Sequence, residues 1–119
     1  MMRVVPLAVD LVFVLIFAAI GRASHGLSAL GILSTAWPFM LACITGWIVV
    51  AALGERGFGV RSALVVWLVT WLGGIAIRLT AGDTAETAFI IVAALVLALL
   101  LWGWRLAYYL FRRPRRPTE

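Results

Sequence analysis

The stretch VVPLAVDLVFVLIFAAI, residues 4–20, decides the reading of this chain. Seventeen residues carry one charge, Asp10, and otherwise read as a helix made to sit in hydrocarbon. A spanning helix needs roughly 20 apolar residues, with a range of ~17–25. A carboxylate inside such a helix costs about 2.5–3.5 kcal/mol on insertion scales, so it normally faces a partner or a water-filled cavity. Asp10 therefore marks a polar event within the bilayer. It also argues against a cleaved signal peptide, whose apolar region does not carry a carboxylate. The first segment is expected to be retained as a helix.

The remainder of the chain agrees. Of 119 residues 65% are hydrophobic and 13% charged, against an apolar share of about 45–50% in soluble domains. Mean hydropathy is +1.11. One membrane domain is the natural reading, residues 1–111, followed by a basic tail, residues 112–119. The single cysteine, Cys43, lies in an apolar run and excludes an intramolecular disulfide; it reads as a small buried hydrophobe.

Four hydrophobic segments predict an all-α, polytopic protein with four transmembrane helices in an antiparallel bundle. They run about Val4–Gly21, Ala36–Leu53, Ser62–Leu79 and Thr84–Leu110. Thr35 is the expected cap of the second, with Pro38 tolerated in its first turn. Gly54 reads as its left-handed terminator. The short linker from Gly54 to Gly59 predicts a hairpin of helices 2 and 3. Asp83-Thr84-Ala85-Glu86 resembles a capping box opening helix 4, with Asp83 as the cap. The segment Ser24–Ser34 is the least regular, expected at the interface as a loop or short helix, with a re-entrant segment as the alternative.

Orientation follows from the arginines, which supply all ten basic side chains. With both termini cytoplasmic, the inside holds Arg3, Arg56, Arg61, Arg105, Arg112, Arg113, Arg115 and Arg116, and the outside only Arg22 and Arg78. That bias predicts a multi-pass plasma-membrane protein with both termini in the cytoplasm. Trp102, Trp104, Tyr108 and Tyr109 then form an aromatic belt at the inner end of helix 4.

This topology sets Asp10 at a depth comparable to Arg61 and Arg105, and either could pair with it. Arg22 is about 18 Å along the helix and cannot. The readings are a static ion pair that fixes packing, a proton- or cation-binding carboxylate, or a side chain that snorkels. At the outer end Arg22, His25, Arg78, Asp83 and Glu86 are expected to converge, as a salt-bridge network or as an anion site on the two arginines. On helix 3, Trp67, Trp71, Gly74 and Arg78 share one face, as packing or as a cavity wall; Asp10, Val14, Phe17 and Gly21 share one on helix 1. Ala42-x-x-x-Gly46 and Thr70-x-x-x-Gly74 are small-residue patterns that permit close helix approach. The tail arginines Arg112, Arg113, Arg115 and Arg116 suit anionic lipid. No nucleophile–base pair, phosphate loop or metal-ligand set appears, so neither enzyme, cofactor, metal nor nucleic-acid binding is expected.

Asp10 with Gly21-Arg22-x-x-His25, Trp37-Pro38-Phe39, Gly74-x-x-x-Arg78, Gly82-x-Thr84-Ala85-x-x-Ala88-Phe89-x-x-Val92-Ala93 and Gly103-Trp104-Arg105 resembles domain-of-unknown-function family 3054, small bacterial and archaeal integral membrane proteins. The resemblance implies four membrane helices and brings no catalytic or ligand residues. A looser similarity, in size and layout, is to small multidrug resistance transporters; their carboxylate is a Glu deeper in the first helix. Two functions follow as expectations: a homo-oligomeric transporter or channel for a small solute or ion using Asp10, or an accessory or assembly subunit docked on a partner membrane protein.

Overall fold

The computed structural model describes residues 4–21, 28–82 and 85–112, the Arg112 side chain excepted. They form α1 (Val4–Gly21), α2 (Ala29–Ala52), α3 (Val60–Thr80) and α4 (Thr87–Arg112), with no strand among the described residues. All four helices are long and apolar enough to cross a membrane. Their outward faces carry large apolar side chains, such as Ile48, Leu95 and Leu99. Lipid solvates such faces and also explains the helices, because the chain must satisfy its backbone polar groups internally there.

Successive helices touch, and α1 also meets α4. The most extensive pair is α2 with α3, where small residues let the backbones approach. A Cβ on Gly73 would lie 3.0 Å from Ala42 Cβ, and one on Gly46 would lie 3.3 Å from Val69 Cβ. Gly74 is a notch filled by Phe39; an added Cβ would come to 2.2 Å from that ring. Both small-residue patterns thus lie in the α2–α3 seam. Gly21 has nothing within 4 Å of its Cβ position and makes no close approach. Val14, Phe39, Val66, Leu97 and Leu101 close the interior.

The described part of α1, Val4–Gly21, covers the expected first segment, but α2 begins seven residues before the expected Ala36. Its cap is Ser28, whose Oγ accepts the Gly31 N–H at 3.0 Å. Thr35 lies inside the helix, and so does Pro38. The proline removes one N–H at that turn without ending the helix. The expected loop or short interfacial helix is therefore, over residues 29–34, the first turns of α2. The far end of α2 matches expectation. Gly54 has φ +76°, Glu55 N–H donates to Val50 O, and Gly54 N–H donates to Ala51 O, a Schellman motif. Helix α4 starts at Thr87 rather than Thr84, its first helical bond running from Ile90 N–H to Glu86 O. Glu86 thus occupies the cap position itself. Asp83, the expected cap, lies outside the described residues.

Candidate functional site: a buried carboxylate–guanidinium node

Asp10 is fully buried on the inward face of α1, above Val14 and Phe17. Arg105, 3% exposed, reaches it from α4, one turn beyond Leu101. The two meet as a fork: Nη1 donates to Oδ1 at 2.8 Å and Nη2 to Oδ2 at 2.7 Å. Two indoles complete the carboxylate. Trp47 Nε1 on α2 donates to Oδ2 at 2.8 Å, and Trp104 Nε1 on α4 donates to Oδ1 at 2.7 Å. Each oxygen therefore accepts two N–H bonds: Oδ1 takes both from α4, and Oδ2 takes one from α4 and one from α2.

The guanidinium is tied down as well. Its Nε donates to Gly57 O at 2.8 Å in the α2–α3 turn, and Nη1 also donates to Leu101 O at 3.0 Å. Its carbon stands 4.6 Å from the Trp104 ring centre, a cation–π contact. Planar, forked donors suit this task in a way a lysine ammonium does not.

The α2–α3 turn is shaped for this contact. Gly57 has φ +102°, where L side chains are strained, and an added Cβ would fall 2.0 Å from Trp47 Cη2. Glycine thus lets the turn lie on the indole while its carbonyl meets Arg105. The neighbouring Phe58 stacks on Tyr108 at 4.5 Å and meets Trp104 edge-on at 6.0 Å. Trp104 and Tyr108, expected as interfacial belt residues, serve here as partners of the node and the turn.

Of the two expected partners of Asp10 the structure selects Arg105. Arg61 is exposed on the first turn of α3 and does not reach the carboxylate. Trp47, Trp104 and the Gly57 carbonyl are members that sequence reasoning missed. Indole N–H groups need an acceptor when buried in lipid, and Asp10 offers four lone-pair positions; that pairing of needs was the available signal.

Trp67 and Trp71 lie with rings nearly parallel, 6.2 Å apart. Their Nε1 atoms donate to Ala94 O and Ile90 O, both at 3.0 Å, bracing α3 on α4. Gly74, expected on the same stripe, instead receives Phe39 from α2. Toward the other end of the helices Phe17, Phe39 and Phe89 form an aromatic group, and the Arg78 guanidinium stands 4.9 Å from the Phe89 ring. Glu86 is exposed. Arg22, His25 and Asp83, the other members of the expected outer cluster, lie outside the described residues. Among the described residues no group of three or more His, Cys, Asp or Glu could hold a metal ion.

Residues 7–108 match the model of a family described as protein of unknown function, DUF3054. The chain belongs to that family. The match takes in Asp10, Trp47, Gly57, Trp104 and Arg105, so the whole node lies within the family domain. No curated protein and no solved structure matched the chain.

Proposed function

We propose that this DUF3054 protein is an accessory or assembly subunit of a larger membrane complex, built as an antiparallel four-helix bundle in the plasma membrane with both termini cytoplasmic. The observation that carries the reading is the occupancy of Asp10: both oxygens are filled by four N–H donors, and the group is inaccessible. A carboxylate that loads and unloads a proton or cation needs a free lone pair and a path to water. Here transport through Asp10 would first break a forked ion pair and two indole bonds. The node acts as a clamp holding α1, α2, α4 and the α2–α3 turn in one relative arrangement. Such a scaffold offers its lipid-facing surfaces to a partner. The arginine distribution supports the orientation, and the arginines of residues 112–116 add attraction to anionic lipid on the cytoplasmic leaflet.

Native mass spectrometry of the protein, extracted gently from its own membranes, tests the reading. A stoichiometric second membrane protein is the expected result. A homo-oligomer without a partner, whose reconstitution into vesicles confers solute or ion flux, would overturn it in favour of the transporter.

A further inference from the structure

At the end of the molecule that holds the node, a groove of about 770 Å³ runs between α3 and α4. Its walls are apolar, from Val60 and Ala63 on α3 to Ala98, Trp102, Leu106 and Tyr109 on α4. The volume falls within the ~300–1,000 Å³ of ordinary ligand sites. Along α4 it extends from Ala98 to Tyr109, about 16 Å at 1.5 Å per residue. That is about half of a ~30 Å hydrocarbon core, the depth of one leaflet. The groove therefore matches the length of a single lipid chain.

Its polar end carries positive charge. Gly59, which caps α3, and Val60, its first residue, both line the groove. Gly59 provides no side-chain cap, so the first-turn N–H groups of α3 keep donors without helical acceptors. Arg56 and Arg61 are exposed on either side of this helix start, and Arg112 lies in the last described turn of α4 at the same end of the molecule. Arg105 also borders the groove, but its guanidinium is engaged with Asp10 and Gly57. A second copy of the chain across this face would set arginine-rich ends together.

We infer that the α3–α4 groove binds one anionic phospholipid, with an acyl chain between the helices and the phosphate at the α3 start beside Arg56 and Arg61. This goes beyond the accessory role and stands whether or not a partner protein exists.

The test uses the full chain in detergent, titrated with phosphatidylglycerol or phosphatidylcholine and read by native mass spectrometry. The wild-type chain is expected to retain one phosphatidylglycerol with about tenfold preference over phosphatidylcholine. A Cβ at Gly103 would have nothing within 4 Å, so Gly103→Phe fills the groove without a clash at its root. That variant is expected to lose the lipid while keeping its thermal transition. Arg56→Gln with Arg61→Gln is expected to keep a bound lipid but reduce the preference to about twofold or less. No retained lipid in the wild type, undiminished retention in Gly103→Phe, or a preference that survives the Arg56/Arg61 changes would each overturn the site. So would a preference that vanishes only when Arg112, Arg113, Arg115 and Arg116 are neutralised, since that puts the anion at the tail. A dimer that Gly103→Phe dissociates with no lipid involved would assign the groove to a second copy instead.

Discussion

Replacing Asp10 with Asn tests the node directly. The carboxylate accepts four N–H bonds, two on each oxygen. An asparagine oxygen keeps at most two of them. Its NH₂ group would face the remaining indole or guanidinium N–H, donor against donor. Bonds to charged groups contribute ~1.5–3 kcal/mol each, so losing two costs about 3–6 kcal/mol. Breaking a buried pair by removing one partner costs ~3–5 kcal/mol by a separate route, the uncompensated charge on Arg105. The unfolded chain in a micelle finds some alternative partners, which keeps neutral interhelical bonds near ~0.6–1.7 kcal/mol. The expected loss is therefore about 3 kcal/mol, a large share of a typical ~5–15 kcal/mol stability. Reversible unfolding by dodecyl sulfate in lipid–detergent micelles, followed by tryptophan emission, measures it. Arg105→Gln should cost a similar amount. The double variant Asp10→Asn with Arg105→Gln should cost less than the sum of the two, by at least ~1 kcal/mol, because it removes the stranded charge. A loss under ~0.5 kcal/mol for Asp10→Asn, the level of a surface change, would refute the clamp. Strict additivity would do so as well.

Gly57→Ala should destabilise more than Gly54→Ala: both meet the left-handed cost of ~1–2 kcal/mol, but only Gly57 also strikes an indole, adding ~1–3 kcal/mol. Equal losses in the same unfolding assay would sink the role assigned to the turn. Gly74→Ala should cost ~1–3 kcal/mol through Phe39, and Phe39→Ala in that background should make the added methyl harmless. Thr70 Oγ1 is fully buried and meets no oxygen or nitrogen partner among the described residues, only the buried Cys43 thiol, a weak one, so Thr70→Val should be neutral or stabilising by up to ~1 kcal/mol; a loss above that would show that the thiol contact matters. In the Asp10→Asn, Arg105→Gln double variant, hydrogen exchange should rise in α1 and α4 more than in the α2–α3 pair, and a uniform rise would contradict the clamp's location.

The helices were legible because hydropathy depends on each residue's own transfer cost. Val4–Gly21 is legible as a helix and Gly54 as a terminator, since each follows from local chemistry. The start of α2 is not. Gly31 and Ser34 are poor helix formers and Pro38 resembles a first-turn residue, yet the six residues before Thr35, residues 29–34, are helical. Lipid removes the alternative of hydrating a loop backbone, and Ser28 supplies the cap. At the node, depth along the helices reduced the partners of Asp10 to Arg61 or Arg105. Choosing between them required the rotation of α3 and α4, which one sequence does not fix. Trp47 was missed for the same reason. Trp104 reads equally well as an interfacial residue, because an aromatic near a helix end fits that role.

The division of adhesion in this bundle explains why a charge pair sits where it does. Between helices in lipid there is no hydrophobic drive; what remains is close packing and hydrogen bonding. The pair α2–α3 uses packing, with Ala42, Gly46, Gly73 and Gly74 bringing backbones together. The contact between α1 and α4 is the least extensive of the four helix pairs, and neither Gly21 nor Gly103 makes a close approach there. There the forked bond from Asp10 to Arg105 supplies directional attachment instead. Trp47 extends it to α2, and Arg105 extends it to the α2–α3 turn through Gly57. A single buried node thus joins the weakly packed pair to the tightly packed one. A carboxylate kept for transport would be expected to stand at a gap in the packing; this one stands where the packing needs a bond.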